Sequence, residues 1–524
     1  MASMLKSTGL VGGYTLLSRV LGLFRDIVLA KFFAPGPAMD AFLVAFKIPN
    51  FMRRLFGEGA FSQAFVPVIS EQKSQGSAQD VKDLVDGVAG TLGLFLTVIT
   101  VLGVLGAPLL VMIFAPGFHA EPERFELTVN LLRITFPYLL FISLTAFAAG
   151  ILNTFGRFGV PAFTPVLLNL ALISAAIWFA PYFSDPITAL AWGVLIAGLA
   201  QLAIQLPALA RIGLVPVPRL GRAKNGVRQI MRLMLPALFG SSVAQINLLV
   251  DTLIASFLTA GSISWLYFSD RLMEFPLGVF AIALATVLLP SLSALHTNKD
   301  PEAFSRTLDW ALRLAFIIGL PAALGLFMLA GPIVVTLFQY GEFSAQDVRM
   351  TEISLQAYAI GLFGFTLVKV LAPGYFARQD TRTPVRFGLV AMFTNIVLNL
   401  GLVVYLVQSE YFAPHAGLAL ATSIAALLHG ALLFRGLSRA GVYVPVKGWI
   451  GLQLRLLAGL GGMGAFLHFF SGELMDWQNV ALAVRVVRLV LLVSGGALVY
   501  FLFLLLLGLR PGQFKAPTQS EPSV

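Results

Sequence analysis

SRVLGLFRDIVLAKFFAPGPAMDAFLVAFKIPNFMRRLFGEGAFSQ, residues 18–63, is the stretch of this sequence that decides how the chain folds. It is apolar enough for a membrane interior, yet it is rich in charge. A charge near the centre of a bilayer costs about 2.5–3.5 kcal/mol on insertion scales, so such charges usually face a cavity or a partner. We therefore expect this stretch to line a hydrated cavity for an anionic substrate. Its charged residues are Arg19, Arg25, Asp26, Lys31, Asp40, Lys47, Arg53, Arg54 and Glu58.

The composition of the whole chain is that of a membrane protein. Of its 524 residues, 58% are hydrophobic and only 11% are charged, and the mean hydropathy is +0.87. Soluble proteins carry roughly 25% charged residues. The sequence therefore predicts an all-α polytopic membrane protein. Fourteen transmembrane helices are predicted, near residues 8–33, 38–69, 85–114, 126–153, 160–182, 187–210, 229–257, 264–294, 308–338, 351–376, 384–407, 414–437, 449–470 and 484–508.

Several kinds of chemistry are excluded by what the sequence lacks. The absence of cysteine rules out disulfides, thiolate metal sites and cysteine nucleophiles. No G-x-x-x-x-G-K-[ST] motif occurs, so the chain is not expected to hydrolyse ATP. The net charge of +10 lies largely in the loops, which indicates membrane topology rather than nucleic-acid binding. We expect a transporter rather than an enzyme, without a cofactor, driven by Na⁺ or H⁺ coupling or by the membrane potential.

The loops predict the orientation in the membrane. Lys and Arg are concentrated in alternate loops, whereas residues 181–186, 258–264 and 407–414 contain none. Because basic loops stay on the cytoplasmic side, both termini are predicted to be cytoplasmic. The connection after the sixth span holds the largest basic group: Arg211, Arg219, Arg222, Lys224, Arg228 and Arg232.

An internal repeat divides the chain into two halves. The glycines of FAPGF and FQYGEF, Gly117 and Gly341, align at an offset of 224 in the numbering. AGILNTFGRFGVP and PGYFARQDTRTP align at the same offset, and FVPVIS and VLLPSLS align at 223. Spans one to six are thus predicted to recur as seven to twelve, with the substrate between two lobes that rock alternately; chance similarity between apolar helices is the alternative. The predicted domains are 1–220, 221–446, an added helix pair at 447–510 and a disordered cytoplasmic tail at 511–524.

Helical spacing places several charges of the opening stretch together. Asp40, Lys47, Arg54 and Glu58 fall near one helix face, although Pro49 blurs the register. In the first helix Arg19 and Asp26 share a face, and Arg25 lies about 120° away. Lys31 and Arg54 are interpreted as boundary charges at the membrane edge.

The second half offers matching groups. At the repeat offset Lys47 aligns with Arg271, which lies between Asp270 and Glu274, and Lys369 lies in an otherwise apolar tract. The planar guanidinium group donates two parallel hydrogen bonds to a phosphate and stays charged when dehydrated. We therefore expect Arg19, Arg25, Arg53 and Arg271 to bind a diphosphate in the cavity, and Asp26, Asp40, Asp270 and Glu274 to orient them or to act as latches. Ion pairs with only a structural role are the alternative.

Asp251 is a candidate of another kind. It lies in an apolar span, with Asn247 one turn earlier, and Asn395 and Asn399 present two amides on one face of span eleven. A carboxylate with amide oxygens suits a dehydrated Na⁺ or a proton. The alternative is that the amides form hydrogen bonds that pack helices together.

Four long motifs resemble the MurJ (MviN) family of bacterial lipid II flippases. They are SRVLGLFRDIVLA at 18–30, DAFLVAFKIPNFMRRLFGEGAFSQAFVPV at 40–68, SDRLMEFP at 269–276 and KVLAPGYFARQDTRTPV at 369–385. The resemblance implies the fold of the multidrug/oligosaccharidyl-lipid/polysaccharide exporter superfamily, with two six-helix lobes in a V and two extra helices whose groove admits a polyprenyl tail. The family's cavity arginines match Arg19, Arg25, Arg53 and Arg271, and its acid in the second helix matches Asp40. Asn399 departs from the members that have an acid in span eleven, near the candidate cation site.

The function that this resemblance implies is transport of a lipid. The substrate would be undecaprenyl-diphosphate-linked disaccharide pentapeptide, moved by alternating access from the inner to the outer leaflet of the bacterial cytoplasmic (inner) membrane. The bilayer and cell-wall synthesis proteins are further candidate partners. A cation-coupled drug or polysaccharide exporter of the same superfamily is the nearest alternative, but cavity arginines disfavour cationic substrates. A polyprenyl-diphosphate enzyme would need paired acids for a metal, and a scaffold has no need of buried charge.

Overall fold

A computed structural model of the chain describes residues 2–54, 61–221 and 224–510. All regular structure in these ranges is helical, without any strand. The prediction of an all-α protein is thus confirmed for this part of the chain. The predicted disordered tail, residues 511–524, lies outside the described residues.

The chain forms two compact units, Met1–Ser264 and Trp265–Val524. The domain boundaries predicted from the repeat, after residues 220 and 446, stay predictions. The first unit contains eleven α-helices in its described residues, besides the start of α12. They are α1 Ala2–Phe32, α2 Pro37–Arg53, α3 Ser62–Gln75, α4 Ala78–Leu105, α5 Ala107–Phe114, α6 Pro122–Thr135, α7 Tyr138–Thr154, α8 Gly159–Ser174, α9 Thr188–Ala203, α10 Leu206–Ala210 and α11 Lys224–Ala255.

The second unit contains ten α-helices in its described residues, and the first turn of α12 precedes the unit boundary. They are α12 Ser262–Pro276, α13 Ile282–Thr297, α14 Pro301–Met328, α15 Ala330–Phe338, α16 Ala345–Phe376, α17 Arg382–Gln408, α18 Ala416–Arg439, α19 Trp449–Ser471, α20 Leu474–Gln478 and α21 Leu482–Leu506.

Many of these helices are suited to a membrane. Ten helical segments in the described ranges have the length and the apolar composition needed to cross a bilayer. The chain is therefore a polytopic membrane protein, as its composition predicts. The ten segments are Ala78–Leu105, Pro122–Thr154, Gly159–Tyr182, Thr188–Ala210, Pro301–Met328, Ala345–Phe376, Arg382–Gln408, Ala416–Arg439, Trp449–Ser471 and Leu482–Leu506.

Several of the predicted spans are interrupted, among them two that break shortly before their C-terminal ends. The span predicted at 85–114 divides into α4 and α5 at Gly106, and the span predicted at 308–338 divides into α14 and α15 at Leu329. A proline follows each break, Pro108 and Pro332. Proline has no N–H to continue the helical ladder and clashes with the preceding turn, so each helix restarts instead of continuing.

Each unit has its own apolar core. In the first unit α3, α4 and α7 meet around three aromatic rings, and the Phe65 ring centroid lies 5.2 Å from that of Phe61 and 5.1 Å from that of Phe147. In the second unit α14, α16 and α18 meet around the buried side chains of Leu308, Leu371 and Leu433. These cores hold α11 and α16, two of the helices that carry candidate site residues.

A buried carboxylate holds the linker after α10, residues 211–221, against the start of α4. Asp86 accepts a hydrogen bond from the Val217 N–H (N···O 2.9 Å) and is ion-paired with Lys82, which also donates to the Val215 carbonyl oxygen at 3.0 Å. The Arg219 N–H donates to the Asp86 carbonyl oxygen at 3.1 Å. The linker therefore lies along the first turns of α4.

The second unit contains a similar arrangement. Asp309 of α14 accepts hydrogen bonds from the Val446 N–H at 3.2 Å, the Tyr443 hydroxyl at 2.9 Å and Trp449 Nε1 at 2.7 Å. Its other oxygen pairs with Arg313 Nε at 2.7 Å. Asp86 and Asp309 align at the offset of the FVPVIS and VLLPSLS motifs, and each carboxylate binds the second valine of a VPV sequence, 215–217 or 444–446. Each half thus contains a buried aspartate that holds the connection at the C-terminal end of that half.

Gly90→Ala is expected to displace the linker from α4. A Cβ at residue 90 would lie 2.7 Å from the backbone carbonyl carbon of Arg219, so the linker would have to move. Such overpacking typically costs about 1–3 kcal/mol, which a lower Tm of the purified protein would report. In the same helix, a Cβ at Gly93 meets nothing within 4 Å, so Gly93→Ala should keep or raise the Tm. An unchanged Tm for Gly90→Ala would contradict the close packing.

Candidate substrate-binding residues

Arg25 and Asp26 form a buried ion pair in α1. Arg25 Nε and Nη2 donate to Asp26 Oδ1 at 2.9 and 2.7 Å, and Nη1 donates to Asn169 Oδ1 of α8 at 3.0 Å. The Asn169 amide in turn donates to the Ser18 carbonyl oxygen at 3.0 Å. The sequence did not single out Asn169, although it holds the guanidinium group in place and ties α8 to α1.

Two further bases of α1 are exposed. Arg19, predicted to bind the diphosphate, is exposed and lies between one and two helical turns before Arg25. Lys31 is also exposed, and its Nζ lies 5.6 Å from the centroid of the neighbouring Phe32 ring. One helix thus presents an accessible arginine and a buried one.

Asp40 is fully buried and is bound by donors from two other segments of the first unit. Its Oδ2 pairs with Arg124 Nη2 at 2.7 Å and accepts from the Gly261 N–H at 2.8 Å. Its Oδ1 accepts from the N–H and the hydroxyl of Ser264, at 2.8 and 2.5 Å. The carboxylate therefore joins α2 to α6 and to residues 261–264.

Arg124 is the main site residue that the sequence reasoning missed. Its side chain is only 2% exposed and lies over the Phe118 ring, with Cζ 3.8 Å from the ring centroid. Nη1 reaches the exposed Glu121 at 3.2 Å. The available signal was a basic residue in the first turn of α6, PERF, next to the FAPGF motif used for the repeat. A helix terminus rich in charge does not by itself reveal a buried residue.

The bases of α2 contact polar groups. Lys47 Nζ donates to the Thr252 hydroxyl of α11 at 2.6 Å, and Arg53 Nε donates to Asn50 Oδ1 at 3.2 Å. Pro49 lies inside the helix, as predicted, and Arg54 is exposed at its end. Glu58, the fourth member of the predicted face, lies outside the described residues.

The candidate residues of the second unit lie on α12 and α16. Arg271 Nη1 pairs with Glu274 Oε2 at 2.9 Å, and its Cζ lies 5.1 Å from the Tyr267 ring centroid. The Arg271 side chain is 38% exposed, so its guanidinium group is accessible, and Asp270 next to it is half-buried. Lys369 is exposed on α16.

The polar residues of the candidate cation site lie on α11 and α17. Asn395 and Asn399 are buried, and the Asn399 amide donates to Asn395 Oδ1 at 3.1 Å. Asn395 donates to the Thr422 hydroxyl at 3.2 Å, which is the helix-packing contact weighed as the alternative. On α11, one turn before the half-buried Asp251, Asn247 Oδ1 is buried without a hydrogen-bond partner among the described residues.

The described part of the chain contains no group of three His, Cys, Asp or Glu side chains that could hold a metal ion. The candidate groups are instead permanently charged donors: guanidinium groups that are buried with a carboxylate, as in Arg25, or accessible beside one, as in Arg271. Such groups bind anions, and those beside a carboxylate can exchange it for a phosphate.

Comparison with known proteins decides the family. The family model described as lipid II flippase MurJ matches residues 29–488 of the chain. The chain belongs to the lipid II flippase MurJ family. The MurJ resemblance of the four sequence motifs is thereby confirmed, and the chain stands among flippases rather than catalytic enzymes.

The MurJ relatives match over most of their length. The probable lipid II flippase MurJ of Vibrio cholerae serotype O1 is 46% identical over 98% of this chain and 98% of its own. The corresponding protein of Haemophilus influenzae is 44% identical over 95% and 98%. The lipid II flippase MurJ of Burkholderia cenocepacia is 41% identical over 90% of each chain.

Solved structures agree with this assignment. A lipid II flippase MurJ in an inward closed conformation has a TM-score of 0.77 at 28% identity and covers 95% of this chain and 99% of its own. An inward-facing multidrug resistance MATE transporter of the MOP superfamily has a TM-score of 0.66 at 16% identity, over 81% and 94%. The second likeness concerns the fold alone.

Proposed function

We propose that this chain moves lipid II, the undecaprenyl-diphosphate-linked disaccharide pentapeptide of peptidoglycan synthesis, from the inner to the outer leaflet of the bacterial cytoplasmic membrane. The observation that carries the proposal is the match of nearly the whole chain to one family of flippases, with relatives at 41–46% identity. Cavity arginines favour this substrate over the cationic drugs of related exporters. Lipid II and the bilayer are the partners we propose, with cell-wall synthesis proteins as candidates.

The architecture proposed for this activity has fourteen membrane helices. Two six-helix repeats are followed by a pair of added helices, α19 and α21, which we assign to the lipid tail. The internal sequence repeat and the paired Asp86 and Asp309 contacts support this division. The distribution of basic loops supports cytoplasmic termini.

The diphosphate is proposed to bind Arg19, Arg25 and Arg53 of the first unit and Arg271 of the second. Arg271 is accessible and is paired with Glu274 on its own helix, so a phosphate can replace that carboxylate. Arg25 is held by Asp26 and Asn169, which orient its guanidinium group. Lys47, Asp40, Asp270 and Lys369 complete the proposed set as orienting or latch residues, and Glu58 is retained from the sequence.

Transport is proposed to follow alternating access. Arginines disfavour a dehydrated state until an anion neutralises them, because burying an unpaired charge is costly. Substrate binding therefore favours the state in which the groups are closed off from water. A ligand shifts such an equilibrium only as far as its affinities for the two states differ. The diphosphate provides this difference because it binds the closed state more tightly.

We propose a cation or the membrane potential as the energy source. Asp251 and the buried oxygen of Asn247, one turn apart on α11, are oxygen groups of the kind that bind Na⁺ or a proton. Asn395 and Asn399 are retained as candidates on α17. No metal cofactor is proposed.

The proposal is tested by a leaflet-accessibility assay in reconstituted vesicles. Labelled lipid II should move between leaflets faster with the protein than in protein-free vesicles, and the same polyprenyl chain carrying a neutral sugar without phosphate should not. Imposing a membrane potential or a Na⁺ gradient tests the energy source in the same assay. Equal rates with and without protein, or transport of a cationic drug instead of the lipid, would overturn the assignment.

A further inference from the structure

The connection between α10 and the core of α11 is the most basic segment of the chain. Residues 211–232 contain six Lys and Arg side chains and no acidic residue. Arg211, Arg219, Arg228 and Arg232 are exposed. Among the described residues, no carboxylate lies within ion-pairing distance of any of these four side chains.

Exposed apolar side chains alternate with these bases. Val215, Val217 and Leu220 of the linker are exposed, as are Met231 and Leu233 in the first turns of α11. Leu220 has 65% of its surface exposed. Basic groups interleaved with exposed apolar groups are typical of segments that lie at a membrane surface.

The position of the linker in the fold agrees with that surface. It begins where the membrane-spanning segment Thr188–Ala210 ends. Its backbone is held on α4 by Asp86 and packs on Gly90. The start of α4 carries Asp80, Lys82 and Asp83, whereas the helix contains no charge from Gly87 to its end. The linker thus lies where α4 passes from its polar start to its apolar remainder, the depth of lipid headgroups.

The first turns of α11 are anchored with their bases outward. Ile230 and Met234 are buried in the apolar core of the first unit, whereas Arg228 and Arg232, one turn apart, are exposed. The core therefore holds this basic face in a fixed orientation instead of leaving it on a mobile loop.

We propose that residues 211–221 and 224–233 form a docking surface for anionic phospholipid headgroups, in which Arg211, Arg219, Arg228 and Arg232 bind phosphate and the exposed apolar side chains enter the boundary of the acyl region. An acidic protein would pair with the bases, but it gives no reason for the apolar side chains at this depth. The surface shares no residue with the set proposed to bind the substrate, and its test does not depend on transport.

The experiment uses the absence of cysteine in the chain. Leu220→Cys introduces the only thiol, which is labelled with a fluorophore whose emission shifts to shorter wavelength in apolar surroundings. The full-length protein is placed in nanodiscs of phosphatidylcholine alone, or with increasing fractions of phosphatidylglycerol. We expect a shift that grows with the phosphatidylglycerol fraction and decreases in high salt. Brominated phosphatidylglycerol should quench the label.

Arg228→Gln/Arg232→Gln in the labelled protein should raise the phosphatidylglycerol fraction needed for half of the shift by more than about fivefold, because each of the two bases near an anionic surface contributes about fivefold in affinity. The matched control is Arg382→Gln/Arg386→Gln, an exposed pair with the same spacing at the start of α17 in the second unit, which should leave the curve unchanged. Equal Tm values for the variants would exclude unfolding.

Three outcomes would overturn the proposal. One is a label that responds equally in neutral and anionic nanodiscs. Another is an equal effect of both double variants. A third is a shift produced by soluble poly-glutamate in neutral nanodiscs and not by phosphatidylglycerol, which would assign the surface to an acidic protein partner instead.

Discussion

Asp40→Ala is expected to lower the free energy of unfolding by about 3–5 kcal/mol, the usual cost of removing one partner of a buried ion pair. Arg124 would keep a full charge at a side chain that is 2% exposed, and the Gly261 and Ser264 N–H groups would lose their acceptor. The measurement is denaturant unfolding of the purified protein in detergent micelles, followed by tryptophan fluorescence.

The control for this prediction is the second acidic partner of Arg124. Glu121 is 52% exposed and lies 3.2 Å from Nη1, so Glu121→Gln should cost less than about 1 kcal/mol. Combining Asp40→Ala with Arg124→Met should recover part of the loss, because the uncompensated charge is then removed. Equal effects of the Asp40 and Glu121 changes would show that burial of the Asp40–Arg124 pair does not determine its contribution to the free energy of unfolding.

The importance of Asp40 was predictable from the sequence, whereas its partners were not. A carboxylate within an apolar helix is costly, which identifies it as a residue with a role. Its partners, Arg124 and Ser264, are far from it in the chain and belong to other segments. Helical spacing orders residues along a single helix, so it predicts shared faces but carries no information about which other segment packs against them.

The linker contacts also show that the sequence does not reveal which segments pack together. The VPV sequences at 215–217 and 444–446 stand at a larger offset than the motifs used for the repeat. A search at one offset therefore passes over them, although the carboxylates that bind them, Asp86 and Asp309, do align at the offset of the repeat. Loop lengths differ between the halves, and only the folded chain shows that the contacts correspond.

The sequence shows which residue types suit a diphosphate, but it does not show which of these side chains are accessible. The four arginines were grouped because a guanidinium group suits a diphosphate, yet Arg25 is buried with Asp26 while Arg19, earlier on the same helix, is exposed. The direction in which an arginine faces depends on the helices that pack beside it, here α8 with Asn169. Hydropathy along the chain therefore predicts the membrane helices but not this difference.

Arg271→Ala is expected to reduce lipid II movement in reconstituted vesicles to the rate of protein-free vesicles, while the protein stays folded. The Arg271–Glu274 pair is exposed by 38% and 51%, so its loss should change the free energy of unfolding by less than about 1 kcal/mol. Arg271→Lys keeps the charge but loses the planar fork, so we expect intermediate transport. Flipping is measured with the leaflet-accessibility assay, and folding by the Tm in the same membranes.

Arg349→Ala separates the proposed role of Arg271 from a general effect of removing a charge. Arg349 pairs with Glu352 at the same spacing and at the same 2.9 Å, also in the second unit, and the sequence assigns it no substrate role. If Arg271 binds the diphosphate, only its substitution should stop transport, because both changes remove one i,i+3 ion pair of similar geometry. Wild-type transport by Arg271→Ala, or an equal loss in both variants, would contradict the assignment. A loss confined to Arg271 would make this guanidinium group, and not the ion pair, the feature that transport requires.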